Sequence, residues 1–221
     1  KCVAVNSGTS GLHMALVAAG IKAGDEVIVP SFTFAATANS VALTGATPVF
    51  VDIDPKTFNI DPAAIEAAIT PRTKAIQPVH LYGQPAQMDK IIEIACAHNL
   101  LVLEDAAQAH LAKLNGKYVG SWGFAATFSF YPTKNMTSGE GGMISCSTDE
   151  MTRMCKLLRN QGMEKRYENE VVGFNTRMTD IHAAIGRVQL TKIEGWTTQR
   201  QANAKFLNEN LKGVVTPYVI P

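Results

Sequence analysis

Cysteine is scarce and badly spaced for structural work. The 221 residues hold four, Cys2, Cys96, Cys146 and Cys155, with no Cys-x-x-Cys pair. That pattern excludes a disulfide framework or a zinc knuckle and reads as the reduced, mostly buried thiols of a cytoplasmic protein. Long apolar runs are also missing. None approaches the roughly 18–20 residues needed to cross a bilayer, and the opening residues lack the basic and apolar regions of a signal peptide. An excess of either charge is absent, since the formal net charge is +1. There is thus no electrostatic case for nucleic acid or an anionic membrane surface as a partner. Internal repeats and low-complexity tracts are absent too. What remains is a globular composition, 46% hydrophobic and 18% charged, long enough for one substantial core.

Short β-branched runs flanked by turn residues recur along the chain: Val27–Pro30, Thr47–Val51, Ala75–Val79, Leu100–Leu103, Ala126–Phe130 and Gly142–Cys146. Their continuous apolar character suits strands covered on both faces. Between them lie helical patterns at Ser10–Ala19, Ala35–Leu43, Pro62–Ala68 and Met88–His98, with Asp61-Pro62 a clear helix start. The alternation predicts an α/β fold: a mainly parallel sheet with helices on both faces. Further on, Thr148–Asn160 reads as a helix and Glu164–Glu170 as a solvated, charge-rich loop. Thr179–Leu211 reads as one long helix or two, with Ile181, Ile185, Val188 and Ile193 on an apolar face. The first residue is Lys1 with no initiator methionine, and Val214–Pro221 resembles the entry to another element. The expectation is a piece of a longer protein.

The residues with chemical potential fall just after these strands, where open α/β sheets collect ligands. Lys134 lies between the Ala126–Phe130 strand and the glycine-rich turn ending at Gly142. Held there by a strand end and a tight loop, its amine is placed to condense with an aldehyde, as in pyridoxal phosphate enzymes. A solvated surface lysine is the bland alternative. Asn6-Ser7-Gly8-Thr9-Ser10 precedes the first helix; small residues and free N–H groups at a helix start suit a phosphate, although a plain hydroxyl N-cap fits as well. Ser129, five residues before Lys134, either adds a hydroxyl to that phosphate or is an inward strand serine. Glu104 and Asp105 close another strand, and burying such a carboxylate is costly without a cation. A protonated pyridine nitrogen would serve Asp105 as that cation, with Gln108 reaching the ring hydroxyl; a helix N-cap is the competing role for Asp105. One of the aromatics in Ser31–Ala35 stacks on a flat ring or belongs to the core. His80 and His110, each alone after a strand, read as structural or rim residues, not metal ligands.

Taken in order, Asn6–Ser10, Gly24–Phe34, Gly45–Asp52, Val79–Gln84, Glu104–His110, Ser129–Gly142 and Gly173–Met178 resemble the DegT/DnrJ/EryC1/StrS family. These are fold-type I, pyridoxal phosphate-dependent sugar aminotransferases, and the resemblance covers nearly the whole chain. It implies Lys134 as the cofactor-binding lysine and proton shuttle, Asp105 opposite the pyridine nitrogen and Gln108 on the ring oxygen. It implies Phe34 as the stacking aromatic, and Gly8, Thr9 and Ser129 as the phosphate cradle. Asn175 would reach the phosphate of a neighbouring subunit's site, making the active unit at least a homodimer, and Arg177 would help bind an acidic substrate group. The implied partners are a nucleotide-diphosphate keto sugar and an amino-acid donor, glutamate; no metal is implied. Leu111 stands where the family usually has glycine. Residues 1–221 correspond to the large, cofactor-binding domain alone. Two other readings remain: a sugar dehydratase on the same scaffold, against which Lys134 argues because such members carry histidine there, and an inactive cofactor-binding fragment or regulatory remnant.

Overall fold

Five consecutive buried residues, Glu26–Pro30, form the spine of the molecule. A computed structural model describes residues 1–220. In chain order its first half contains β1 (Cys2–Val5), α1 (Gly8–Ala18), β2 (Glu26–Pro30), α2 (Ala36–Ala42), β3 (Thr47–Val51), α3 (Pro62–Ala67), β4 (Thr73–Ile76) and α4 (Met88–Ala97). There follow β5 (Leu101–Asp105), β6 (Lys113–Leu114), β7 (Lys117–Tyr118), β8 (Ala125–Ser129), β9 (Gly142–Cys146), α5 (Asp149–Arg159), α6 (Asp180–Leu190) and α7 (Ile193–Asn210).

A seven-stranded sheet runs in the order β1-β9-β8-β5-β4-β2-β3. The β2–β3, β2–β4, β4–β5 and β5–β8 pairs are parallel, whereas β9 runs antiparallel to both of its neighbours. Side chains of β2 alternate between two cores. Val27 and Val29 pack with Met14 and Leu16 of α1 and Met151 and Leu158 of α5. Ile28 packs with Ile65 of α3 and with Met88 and Ile91 of α4. A strand sandwiched in this way favours apolar residues on both faces, which is why β2 is a continuous apolar run after Glu26, whose carboxylate at the strand start is paired with Arg72 and Thr70.

Helix starts follow the capping residues. The Ser7 hydroxyl accepts the Ser10 N–H (3.1 Å), the Asp61 carboxylate accepts that of Ala63 (3.0 Å), and the Thr148 hydroxyl accepts that of Met151 (3.1 Å). Helix α5 also has Asp149 and Glu150 in its first turn and Lys156 and Arg159 in its last, in the sense its dipole favours.

Three departures from the sequence expectations have physical causes. The Ala75–Val79 run leaves the ladder after Ile76: Pro78 has no N–H to offer, and its carbonyl instead accepts the Asp105 N–H at 2.8 Å. The β6–β7 hairpin was not anticipated, although its turn, Asn115-Gly116, is a strong two-residue hairpin signal. Both residues have positive φ (50° and 78°), as such a turn requires. Finally, Thr179–Leu211 forms two helices, one of the two arrangements expected, dividing around Thr191-Lys192, but only Ile193 of the expected apolar face is buried. Ile181, Ile185 and Val188 are exposed, because nothing among the described residues covers that face of α6. No helix among the described residues is long and apolar enough to cross a membrane.

Candidate active site

The strand ends and helix starts enclose a cavity of about 590 Å³ lined by Gly8, Thr9, Phe34, Asp105, Gln108, Ser129 and Lys134, among others. These positions come from four connections of the sheet, after β1, β2, β5 and β8, so the cavity is a product of topology and not of one motif.

At one end lies the start of α1. The Ser7 side chain is spent on the Ser10 N–H, leaving the N–H groups of Gly8 and Thr9 without intrahelical acceptors. Close approach depends on the absence of side chains. A Cβ on Gly8 would sit 2.8 Å from the Ser129 Cβ, and one on Gly142 only 2.6 Å from the Ser7 carbonyl oxygen. The helix start is thereby pressed against the ends of β8 and β9, with Ser129 beside it. A bare helix N-terminus with an adjoining hydroxyl is an anion site.

At the end of β5 the two acids part company. Glu104 turns away from the cavity and accepts the backbone N–H groups of Gly120 (2.8 Å), Trp122 (2.9 Å) and Gly123 (2.8 Å). It also meets the His80 Nε2 at 3.0 Å. The His80 Nδ1 accepts the Ala86 N–H (3.1 Å), so the ring proton lies on Nε2 and is donated to Glu104. Burial opposes ionisation of Glu104, but these donors outweigh it and hold the carboxyl below its ordinary value. His80 is therefore a fully buried structural residue.

Asp105 faces the cavity. Its Oδ2 accepts the Thr37 hydroxyl (2.9 Å) and its Oδ1 the Ala107 N–H (3.1 Å). Burial pushes its carboxyl up from the usual range, against the smaller opposing effects of Thr37, Ala107 and the Lys134 ammonium. Asp105 makes no ion pair among the described residues. A turn and not a helix follows β5, so the helix N-cap considered for Asp105 is not its role; the Ala107 bond closes that turn and leaves the remaining lone pairs of the carboxylate open to a cation.

Gln108 accepts the Tyr82 N–H on Oε1 at 2.7 Å, which leaves its NH2 as the group available to the cavity. Tyr82 has φ +56°, a strained value for a bulky residue, so this orientation is held at some backbone cost. Lys134 sits on a loop closed at its base by bonds from the Ser138 N–H to the Phe130 carbonyl (3.0 Å) and from the Phe130 N–H to that of Gly141 (2.9 Å). Phe34 lines the cavity while remaining 73% exposed, so its ring is available for stacking.

Asn175 and Arg177 lie elsewhere. Asn175 pairs with Asn160, whose side-chain oxygen accepts a bond from Arg177 at 2.8 Å. His110 is buried against Phe128 and Phe130, and burial pushes its imidazole down to about 4. Leu111 adopts φ +65°, the conformation for which glycine is suited. Sequence reasoning passed over Thr37 and Tyr82 as partners of Asp105 and Gln108; neither has a local signal, because each contact spans distant parts of the chain.

Comparison with known proteins decides the family. The model of the DegT/DnrJ/EryC1/StrS aminotransferase family matches residues 1–220. The chain belongs to that family. It is 56% identical over 211 residues to GDP-perosamine synthase of Caulobacter vibrioides, covering 95% of this chain and 57% of that protein. To dTDP-3-amino-3,4,6-trideoxy-alpha-D-glucose transaminase of Streptomyces venezuelae it is 43% identical, covering 99% and 59%. The crystal structure of S. venezuelae DesV in complex with a ketimine intermediate superposes with a TM-score of 0.96 at 43% identity, covering 100% and 60%. The chain thus spans less than two thirds of the length of these relatives. Their architecture is that of fold-type I pyridoxal phosphate aminotransferases.

Pyridoxal phosphate is the cofactor of the DegT/DnrJ/EryC1/StrS aminotransferases, and the cavity has the donor set to suit it. A buried carboxylate lacking a cation matches a pyridine N–H, a fixed amide NH2 matches a ring oxygen, and a bare helix start matches a phosphate.

Proposed function

We propose that this chain, residues 1–221, is the cofactor-binding domain of an enzyme that moves an amino group from glutamate to a nucleotide-diphosphate-linked keto sugar. The observation that carries the proposal is the pairing, in one cavity, of Lys134 with Asp105, a buried carboxylate that makes no ion pair among the described residues. The names of the relatives support the acceptor class.

When bound, the cofactor supplies an aldehyde and an electron-accepting ring. Lys134 would hold that aldehyde through its amine, and the same amine, free in the cavity, would be the group to take up and return a proton during transfer. Asp105 keeps the ring nitrogen protonated, Gln108 donates to the ring oxygen and Phe34 stacks on one face. The Gly8 and Thr9 N–H groups, with the Ser129 hydroxyl, hold the phosphate. In this reading Asn175 completes the phosphate site of a second copy and Arg177 meets an acidic substrate group. The exposed Ile181, Ile185 and Val188 of α6 support a homodimer, since a helix presenting such a row to water is unfavourable.

Incubation with pyridoxal phosphate should yield a visible absorption band that borohydride fixes onto Lys134, and Lys134→Ala should abolish both. Undiminished borohydride-stable capture in Lys134→Ala would overturn the lysine assignment. Nitrogen from ¹⁵N-glutamate should appear in the sugar product; a deoxygenated sugar without nitrogen would instead favour dehydration.

A further inference from the structure

Thr37 is wholly buried in the first turn of α2, and its hydroxyl is directed at Asp105. A second hydroxyl, that of Thr33, lies 2.9 Å from the Thr37 oxygen. With Asp105 ionised, as the cofactor ring requires, proton counting fixes the direction of this pair. An ionised Asp105 can only accept, so Thr37 must spend its single proton there, and Thr33 must donate to Thr37. The result is a one-way donor chain, Thr33 to Thr37 to Asp105, running from the loop that carries Phe34 to the carboxylate at the end of β5.

Thr37 is held in place more firmly than packing requires. Its carbonyl accepts the Ser40 hydroxyl (2.8 Å) and the Gln77 side-chain amide (3.0 Å). Gln77 is itself tied to the central strand through its N–H and the Ile28 carbonyl at 2.8 Å. The Gln77 Oε1 is left buried without a partner, although the amide would be free to turn if nothing held it. An orphaned acceptor is unfavourable; it persists here because the other end of the amide grips Thr37. Strand β2, the segment after β4 and helix α2 therefore combine to hold the backbone that carries this hydroxyl.

We propose that Thr37 is a positioning residue of the catalytic apparatus: its hydroxyl, aligned by Thr33 and Gln77, sets the orientation of the Asp105 carboxylate and keeps it ionised for the cofactor ring. Asp105 needs such help, because burial alone drives it toward the neutral acid, which has no charge to offer a ring nitrogen. With Oδ2 committed to Thr37 and Oδ1 to Ala107, the plane of the carboxylate is defined and its remaining lone pairs have fixed directions. The proposal rests on the aminotransferase reading, but it can be tested without it.

The test compares Thr37→Val, which keeps the shape and removes the hydroxyl, with Thr37→Ser, which keeps the hydroxyl and removes the methyl. In the cofactor-free intact protein, ¹³C-labelled aspartate carboxyls are followed by NMR against pH, with Asp105→Asn identifying the resonance. Thr37→Val should move the Asp105 titration to higher pH, and Thr37→Ser should leave it near the wild-type position. In the loaded protein, Thr37→Val should weaken cofactor affinity about tenfold and lower kcat by a similar factor with little change in KM, and serine should restore both. An unmoved Asp105 titration in Thr37→Val refutes the proposal, as does a serine variant as impaired as the valine one, which would indicate a packing role. If wild-type protein forms no borohydride-fixed adduct at Lys134, the aminotransferase reading fails, while the carboxyl titration still decides the role of Thr37. Should Thr37→Val not fold, Thr33→Val removes the outer donor alone and should shift the titration in the same direction; no shift overturns the chain.

Discussion

Replacing Asp105 by asparagine should make the cofactor-free protein more stable while damaging its capacity to hold the cofactor. In the wild type Asp105 is 5% exposed and burial pushes its carboxyl up, opposed at contact distance by two neutral donors, Thr37 and Ala107, and more weakly by the Lys134 ammonium. Asparagine removes the charge without stranding either neighbour. Its oxygen still accepts the Ala107 N–H, and its NH2 donates to the Thr37 oxygen, provided that the Thr33–Thr37 pair reverses direction. That reversal is available because the two hydroxyls lie 2.9 Å apart and either can donate. Relief of an uncompensated buried charge is of the order of 1–3 kcal/mol. Binding moves the other way: a charge-assisted bond to a ring N–H is worth about 1.5–3 kcal/mol, so affinity should fall roughly 10- to 100-fold. Urea denaturation of the cofactor-free forms at pH 8, followed by the same experiment at saturating pyridoxal phosphate, measures both signs. The wild type should gain stability from the cofactor and overtake the variant. A cofactor-free Asp105→Asn that is less stable than wild type would refute the reasoning, since it would mean that the carboxylate is already compensated by the fold.

Three further outcomes follow from single features. Leu111→Gly removes a leucine held at φ +65° and should raise stability by about 1 kcal/mol in urea denaturation; an unchanged or lower midpoint would show that the half-buried side chain outweighs the backbone strain. The folded pKa of His110, about 4, lies below the ordinary 6.5, so the unfolded chain takes up the proton first. Stability is complete above 6.5 and falls as pH drops toward 4, by about 3 kcal/mol from this group; His110→Phe should remove that part of the acid limb, and identical limbs would contradict it. Ile185→Asp, on the uncovered face of α6, should shift the sedimentation of the protein toward monomer under the homodimer proposal, and an unchanged mass would place the interface elsewhere.

How much of this was legible beforehand depended on whether the cause was local. Strand β2 and helices α1, α3, α4 and α5 were readable because their signals are local: an unbroken apolar run, a helical apolar spacing, or the Asp61-Pro62 start. Ser7 caps α1, which begins at Gly8, ahead of the expected start at Ser10. Convergence of Gly8, Thr9, Phe34, Gln108, Ser129, Asp105 and Lys134 on one cavity was readable at one remove, since all follow strands of one sheet and parallel strands place their ends together. The end of β4 was missed because the ladder there is broken by a single proline, whose carbonyl is then used by a strand 27 residues later (Pro78 to Asp105). The uncovered α6 was misjudged for a different reason. Its apolar spacing is real, but periodicity states only that a face seeks cover and not that the same chain provides it.

The supporting layer of the site was the least visible, and the reason is general to the chemistry. A group that touches a cofactor must have a particular functional group at a particular strand end, which leaves a pattern. A group that aims it needs only one hydrogen bond of the right direction. Thr37 reaches Asp105 across 68 positions, and Tyr82 serves Gln108 through a backbone N–H that any residue but proline supplies. Neither demand restricts the local sequence enough to be recognised. Yet the direction of those bonds decides what the cavity offers: an ionised acceptor at Asp105 and an obligate donor at Gln108. The cavity's chemical polarity is therefore set in part by residues outside the motifs, and an arrangement with the same lining but a valine at position 37 would leave the Asp105 carboxyl without its side-chain donor and higher in pKa.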